Sequence, residues 1–210
     1  MVRALLSYGL LIVAAGLIAM SVYRAEVAQL FQELITRDML QQEAQNDFDM
    51  GVAVGQSFPT IRVEYNDRVY SSLAAFKERR GTVLVASRSV VWCPFCRRYM
   101  AQLNEYADAF AEQGIGLVAL TYDSPEDQAF FANAGSIDYP ILSDVNAYSV
   151  KALGILHQGY EEGDAAYGIP HPGVYIVDRR NKIVDKLFID DYTKRIDPQV
   201  ILDTAVGLLY

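Results

Sequence analysis

The chain has few of the residues that build metal centres, disulfide networks or nucleic-acid surfaces. Only two of its 210 residues are cysteine and only two are histidine. Any disulfide within the chain must therefore join Cys93 to Cys96. Lysine and arginine total 18 against 26 aspartate and glutamate, a formal net charge of −8 that argues against nucleic acid as a partner. A chain that is 52% apolar and 21% charged is not a disordered polymer and predicts a buried core.

One long stretch near the N terminus lacks charge altogether. It runs between Arg3 and Arg24, and a helix of about 20 residues, at about 1.5 Å per residue, spans a hydrocarbon core of about 30 Å. We therefore expect residues 1–24 to form an N-terminal transmembrane helix that anchors the chain in a membrane. The alternative is a cleaved signal peptide, because Ala19-Met20-Ser21 has the small residues that signal peptidase prefers.

Residues 25–50 are predicted to form an amphipathic helix and a linker. Val27, Leu30, Phe31 and Leu34 recur at three- and four-residue spacing with polar residues between them. This stripe is expected to pack on the rest of the protein or on a second copy, and a partner helix is the alternative.

Residues 51–210 are predicted to form one domain of the α/β class, with a mixed central sheet flanked by helices. A continuous apolar run at 82–86 is typical of a buried central strand, and an Asn66-Asp67 turn indicates a hairpin before it. Strands and helices then alternate along the chain: helices at 94–113, 123–135, 145–153 and 197–209, strands at 115–121 and 140–142, and a hairpin at 174–188.

The chemistry of the chain centres on Cys93-Pro94-Phe95-Cys96, which follows the buried strand and opens a helix. The unpaired amides and the positive dipole end of that helix stabilise a thiolate on Cys93. The two arginines that follow the motif add positive charge. Cys93 is therefore the predicted attacking thiol, and Cys96, one turn inside on the same face, is the predicted buried resolving thiol. Pro94 suits the first helical turn because its missing N–H would be unpaired there.

Two other interpretations of the cysteine pair stay open. A Cys-x-x-Cys pair can be half of a zinc site, but the only histidines, His157 and His171, lack zinc-finger spacing. The pair can also form a purely structural disulfide. The strand, cysteine pair and helix in succession favour redox chemistry, and no metal or cofactor is expected.

Three motifs resemble those of a known family. GQSFP followed by a hairpin, then WCPFC, then HPGVYIVD make residues 51–206 similar to thioredoxin-fold redoxins of the alkyl hydroperoxide reductase and thiol-specific antioxidant (AhpC/TSA) family. The resemblance implies a thioredoxin-like fold in which Pro172 is a cis-proline facing the cysteine pair. It also implies that His171 contacts a bound thiol substrate and that Trp92 is the tryptophan preceding the pair. A polar residue on an exposed loop is the alternative for His171.

The peroxiredoxins of this superfamily carry a pattern that the chain does not match. They place Thr three residues and Pro seven residues before the peroxidatic cysteine, and an Arg near the position of Pro172. Here those positions hold Val90, Ala86 and Pro172 itself, and Arg88 is the available substitute as a charge donor. This departure favours disulfide exchange over peroxide reduction. The Pro94-Phe95 pair between the cysteines resembles the Pro-His and Pro-Tyr pairs of oxidising or glutathione-linked relatives. This resemblance implies a disulfide more oxidising than that of thioredoxin.

Three functions are therefore expected from the sequence, in descending order. The first is a membrane-anchored thiol-disulfide oxidoreductase that acts on a protein disulfide or dithiol outside the cytoplasm, as in the bacterial periplasm. The second is a peroxiredoxin-like peroxidase in which Cys96 captures a sulfenic acid formed on Cys93 by a hydroperoxide. The third is a tethered binding module whose cysteines form a static bridge or hold a metal.

Overall fold

The computed structural model describes residues 2–45 and 48–210, and for residues 2–14 and Val145 it describes the backbone alone. The chain divides into two compact units, one up to Asp38 and one from Met39 to Tyr210. The first unit contains a single helix, α1 (Val2–Thr36).

Helix α1 joins two segments that the sequence assigned separately, the predicted anchor at 1–24 and the beginning of the amphipathic stretch at 25–50. Among the residues described, none of the helices combines the length and apolar character that crossing a membrane requires. The predicted transmembrane helix is therefore not confirmed. The side chains of its first 14 residues lie outside the described part of the chain.

The second unit begins at Met39, earlier than the boundary near residue 51 that the sequence predicts. Met39 is buried, and its carbonyl accepts a hydrogen bond from the amide of Arg195. Gln41 likewise accepts from the amide of Asp197. Residues 37–45 are not helical, because this backbone pairs with a strand near the C terminus instead.

The second unit alternates strands and helices much as predicted. In chain order its elements are β1 (Leu40–Gln41), β2 (Val63–Tyr65), β3 (Arg68–Tyr70), β4 (Gly81–Ala86), α2 (Pro94–Asn104), α3 (Ala107–Glu112), β5 (Ile115–Thr121), α4 (Pro125–Gly135), β6 (Ile141–Asp144), α5 (Tyr148–Ala152), β7 (Gly173–Asp178), β8 (Ile183–Phe188), β9 (Arg195–Ile196) and α6 (Pro198–Leu208). Short 3-10 turns occupy Leu73–Phe76 and Val145–Ala147.

Seven of these strands form one mixed sheet in the order β3-β2-β6-β5-β4-β7-β8, which confirms the predicted sheet type. Strand β4 is an interior strand of this sheet, parallel to β5 and antiparallel to β7. Strands β1 and β9 pair separately. Alternate residues of β4 reach opposite faces: Val83 and Val85 pack in the core that holds α2 and α6, and Leu84 and Ala86 pack in the core that holds α5. Burial on both faces explains the continuous apolar run of β4.

The predicted hairpin turn is confirmed, and three of the helical elements begin with a side-chain cap. Asn66 and Asp67 both adopt positive φ, at 49° and 59°, as a two-residue hairpin turn requires. The side chains of Ser72, Ser124 and Asp197 each accept a hydrogen bond from a backbone amide of the turn or helix that they precede.

The single helix predicted at 94–113 is wrong, since α2 ends at Asn104 and α3 follows after a break. At the break the amide of Tyr106 bonds to the carbonyl of Leu103, three residues back, which tightens the backbone. The side chain of Asn104 fixes this position by accepting from the amide of Asp138 at 2.7 Å and donating to the carbonyl of Ser136 at 3.0 Å.

Candidate active site

The cysteine pair lies where β4 passes through a short loop into α2. Cys93 is the N-cap residue of α2 and is joined to Cys96 by a disulfide, with their Cα atoms 5.3 Å apart. The amide of Cys96 donates to Cys93 Sγ at 3.3 Å, so an unpaired N–H of the first turn already points at the first sulfur. Pro94 occupies the first helical turn, as predicted. Cys93 is 2% exposed and Cys96 is fully buried, so a partner thiol reaches the disulfide only after local opening.

A buried carboxylate holds the loop that leads into Cys93. Asp123 accepts three short hydrogen bonds, from Ser89 Oγ at 2.6 Å, from the amide of Val90 at 2.7 Å and from Thr121 Oγ1 at 2.7 Å. Ser89 Oγ in turn accepts from the amides of the two residues after Val90. The loop is therefore tied to the end of β5, and this fixes the start of α2 relative to the sheet. The sequence argument did not single out Asp123, because its partners in the loop, Ser89 and Val90, lie 34 and 33 positions away along the chain.

The residues just before Cys93 form an exposed apolar rim. Val91 is 50% exposed and Trp92 is 45% exposed. The Trp92 indole N–H donates to the Tyr122 hydroxyl at 2.9 Å, and the guanidinium of Arg88 lies over its ring at 5.2 Å. Arg88 also lies over the ring of Tyr192 at 4.7 Å. These contacts hold Trp92 in place, although nearly half of its surface is exposed.

Pro172 lies one residue before β7, which pairs with β4, so the strand position implied by the family resemblance is correct. The predicted cis peptide bond at Pro172 is wrong, because the described residues contain no cis peptide bond. The backbone here is held extended by pairing with a neighbouring segment: Pro170 forms an antiparallel bridge with Leu156, and the amide of His171 donates to the carbonyl of Ile155 at 2.7 Å. A trans bond satisfies this pairing and is the lower-energy isomer.

His171 is half-buried and stacks on the other histidine of the chain. The rings of His171 and His157 lie 5.0 Å apart with an interplanar angle of 20°. Burial, the neighbouring His157 and Arg88 lower the pKa of His171 despite the opposing charge of Asp190. Burial and Arg88 likewise lower the pKa of His157. Both rings are therefore mainly neutral at pH 7. Among the described residues, no group of three or more His, Cys, Asp or Glu side chains is placed to hold a metal ion.

An arginine distant in sequence contacts the second cysteine. Arg195 Nη2 lies 3.2 Å from Cys96 Sγ, and Arg195 Nη1 donates to the carbonyls of Tyr192 and Lys194. Its guanidinium also lies 5.9 Å from the ring of Tyr99. Burial lowers the pKa of Arg195 to about 10, which leaves the group charged at neutral pH.

Sequence reasoning missed Arg195 for two reasons. It lies 99 positions from Cys96, and its neighbours along the chain include several charged residues, as is typical of an exposed loop. The one local signal is its place two residues before the Asp197 cap of α6. Arg195 and Pro172 also line one narrow cavity of about 10 Å³ together with Tyr99. The structure thus brings Pro172 near Arg195. Phe95, in contrast, is half-buried and packs against the core that holds α2.

Comparisons with known proteins agree with this arrangement. Residues 54–186 match the family model described as "AhpC/TSA family". The Mycobacterium tuberculosis protein named "Putative peroxiredoxin Rv2521" is 26% identical over 130 residues, which cover 62% of this chain and 81% of that protein. "Thiol-disulfide oxidoreductase ResA" of Bacillus thuringiensis is 24% identical over 115 residues, 51% of this chain and 59% of that protein. The crystal structure of peroxidoxin BcpB from Mycobacterium tuberculosis superposes with a TM-score of 0.60 at 20% identity, covering 76% of this chain and 96% of that chain.

Proposed function

We propose that this chain, which belongs to the AhpC/TSA family of thiol oxidoreductases, exchanges disulfides with a protein partner through Cys93 and Cys96. The observation that carries the proposal is the disulfide closed within one helical turn at the start of α2. Because the two sulfurs already meet there, Cys96 can displace a partner bound to Cys93 without rearrangement of the fold.

The local contacts support different roles for the two cysteines. Cys93 caps the helix, and its sulfur receives the amide of Cys96, so negative charge on Cys93 is stabilised by the helix N terminus. In the proposed reaction a partner thiolate attacks Cys93 Sγ, breaks the bond to Cys96 and forms a mixed disulfide. A second partner thiolate then attacks the partner sulfur and releases Cys93. The partner is oxidised to a disulfide, and the two electrons reside in the dithiol of this chain.

Four further predicted residues surround this chemistry in supporting roles. Trp92 presents an exposed face beside the pair, and Phe95 separates the two cysteines on α2. His171 and Pro172 precede the strand that pairs with β4, from which the cysteine loop departs. We propose that these residues contact the partner chain once local opening exposes Cys93.

Peroxide reduction is the second candidate, and the match to a protein named as a peroxiredoxin favours it. The local structure offers little support for it. Val90, three residues before Cys93, is buried and gives only its backbone N–H to Asp123, so this position supplies no hydroxyl to a peroxide. The guanidinium of Arg88 lies over the rings of Trp92 and Tyr192, so its positive charge is located beside Trp92.

One stopped-flow experiment separates these two activities. The reduced full-length chain is mixed with a disulfide-bonded peptide or with hydrogen peroxide, and oxidation is followed by the fluorescence of Trp92, the single tryptophan. We expect fast oxidation by the peptide, which is the reverse of the exchange described above, and a peroxide rate no greater than that of free cysteine. Cys93→Ser abolishes the reaction, and Cys96→Ser accumulates the mixed disulfide. A fast peroxide reaction with no peptide reaction contradicts the proposal and establishes the peroxidase.

The tethered binding module is distinguished by the same Cys93→Ser variant. If the cysteines form only a static bridge, this variant keeps the partner interaction, and neither thiol of the reduced chain reacts faster than free cysteine. Fast exchange that depends on Cys93 eliminates that interpretation.

We also propose that the redox domain lies outside the cytoplasm, held there by the N-terminal segment. The proposal rests on the uncharged run between Arg3 and Arg24. A reporter fused to the C terminus and active only in the cytoplasm contradicts it. A mature protein whose mass corresponds to a start at Val22 supports the signal peptide instead.

A further inference from the structure

The buried side of the disulfide carries a cation with no counter-ion among the described residues. Arg195 is 4% exposed, and no carboxylate of the described residues lies within ion-pair distance of it. Asp191, which attracts it electrostatically, accepts hydrogen bonds from the backbone and hydroxyl of Thr193. Within the described part of the chain, Arg195 Nε has no hydrogen-bond partner. A buried charge without an opposite charge is costly, so this arrangement calls for an anion.

The atom that Arg195 already contacts can become that anion. Nη2 lies 3.2 Å from Cys96 Sγ, within hydrogen-bond distance of a sulfur. In the oxidised state this sulfur is neutral. When the disulfide opens toward a partner on Cys93, the electron pair of the broken S–S bond stays on Cys96, and the sulfur becomes a thiolate beside the guanidinium.

Among the described groups around Cys96 Sγ, Arg195 is the positive charge in direct contact with the sulfur. Tyr99 packs beneath the guanidinium, and its hydroxyl donates to the carbonyl of Ile196 at 2.7 Å, so it is neutral and occupied. Arg88 adds a second positive charge at longer range, and Asp191 and Asp197 add negative charge. Burial alone disfavours a thiolate on Cys96, so a stable thiolate there depends on the direct contact.

We propose that Arg195 is a further catalytic residue, which stabilises the thiolate of Cys96 as that sulfur leaves the disulfide and keeps it ionised for the reverse attack. The inference rests on the proposed exchange function and identifies the charged group that stabilises the sulfur of Cys96. In the forward direction the partner thiolate forms a bond to Cys93 Sγ while Cys96 leaves as a thiolate paired with Arg195. In the reverse direction the Cys96 thiolate attacks Cys93 Sγ, and the partner leaves as a thiolate. Charge and electrons balance in both directions, because one thiolate is consumed and one is formed.

The test measures the ionisation of Cys96 without any partner, so its failure is distinguishable from a failure of the exchange activity. The full-length Cys93→Ser variant contains a single cysteine, which is labelled with 13C at Cβ and titrated by NMR from pH 5 to pH 10 in the presence of a non-thiol reductant. We expect a titration midpoint below the ordinary cysteine value of about 8.5. A midpoint at or above that value overturns the inference whether or not any arginine variant folds.

Variants of Arg195 in the same background assign the effect. Arg195→Gln and Arg195→Met remove the charge, and each is expected to raise the midpoint of Cys96 by about one pH unit, a tenfold change in the ionisation constant. Arg195→Lys keeps the charge and is expected to keep most of the effect. Arg68→Met removes an exposed positive charge on β3 and should leave the midpoint unchanged. Folded Arg195→Gln and Arg195→Met proteins with the unaltered midpoint overturn the inference.

Discussion

The loop before Cys93 depends on one buried carboxylate, and this dependence can be measured. Asp123 is 6% exposed and accepts hydrogen bonds from Ser89, Val90 and Thr121, two of them on the same oxygen. Asp123→Asn keeps the size of the side chain but replaces one oxygen by an NH2 group, which cannot accept. At least one of the three donors loses its partner, and the others now bond to a neutral group.

The magnitude follows from the energies of such bonds. A hydrogen bond to a charged group contributes about 1.5–3 kcal/mol and one between neutral groups about 1 kcal/mol. Losing one bond and weakening two gives an expected decrease of about 3 kcal/mol in the free energy of unfolding, close to a 150-fold change in the folding equilibrium. The network also ties the loop to β5, so amide exchange in the loop should speed up in the variant.

The assay is urea unfolding of the oxidised full-length chain, followed by far-ultraviolet circular dichroism. Asp127→Asn is the matched control, because Asp127 also accepts from a serine hydroxyl, at 2.7 Å from Ser124, but is exposed. We expect the control to change the free energy of unfolding by less than about 1 kcal/mol. If the free energy of unfolding of Asp123→Asn lies within about 0.5 kcal/mol of that of the unmodified chain, the carboxylate does not hold the loop and the reasoning is refuted.

Two further predictions concern the histidine pair and a crowded glycine. His157 and His171 have lowered pKa values in the folded state, so they contribute stability above the unfolded value of 6.5 that is lost as the pH falls through the folded pKa. Replacing both by Gln should reduce the loss of unfolding free energy between pH 7 and pH 5, and an equally steep loss contradicts this. A Cβ on Gly116 would lie 2.3 Å from the carbonyl oxygen of Phe76, so Gly116→Ala should lower the unfolding free energy by about 2–3 kcal/mol. Gly207→Ala, in open space on α6, should not lower it, and equal urea midpoints for the two variants rule out the packing argument.

The parts of the fold that were predictable are those set by local chemistry. Positive φ at Asn66 and Asp67 follows from the tolerance of these residue types for the left-handed region. Ser124 caps α4 through a side chain that reaches only three residues along the chain. The start of α2 at Cys93-Pro94 has the same local origin, so the position of the cysteine pair could be read directly from the sequence.

The parts that were missed depend on contacts between distant segments. The break after Asn104 requires hydrogen bonds to residues 136 and 138, and helical periodicity carries no record of them. The strand at Leu40 exists because its backbone pairs with Arg195, which overrides the helical spacing of the residues before it. At Pro172 the family resemblance implies a cis peptide bond, whereas the described residues contain none.

The same distinction separates the two cysteines chemically. Cys93 receives an amide from its own helical turn, a feature that any Cys-x-x-Cys pair at a helix N terminus shares. Cys96 receives Arg195, a residue of β9, which pairs with β1 and is tied to α2 by the hydrogen bond of Tyr99 to Ile196. Charge on the first sulfur is therefore set by local structure and charge on the second by tertiary structure. It follows that substitutions in the pairing of β1 with β9 should shift the ionisation of Cys96, measured by the same NMR titration of the Cys93→Ser variant.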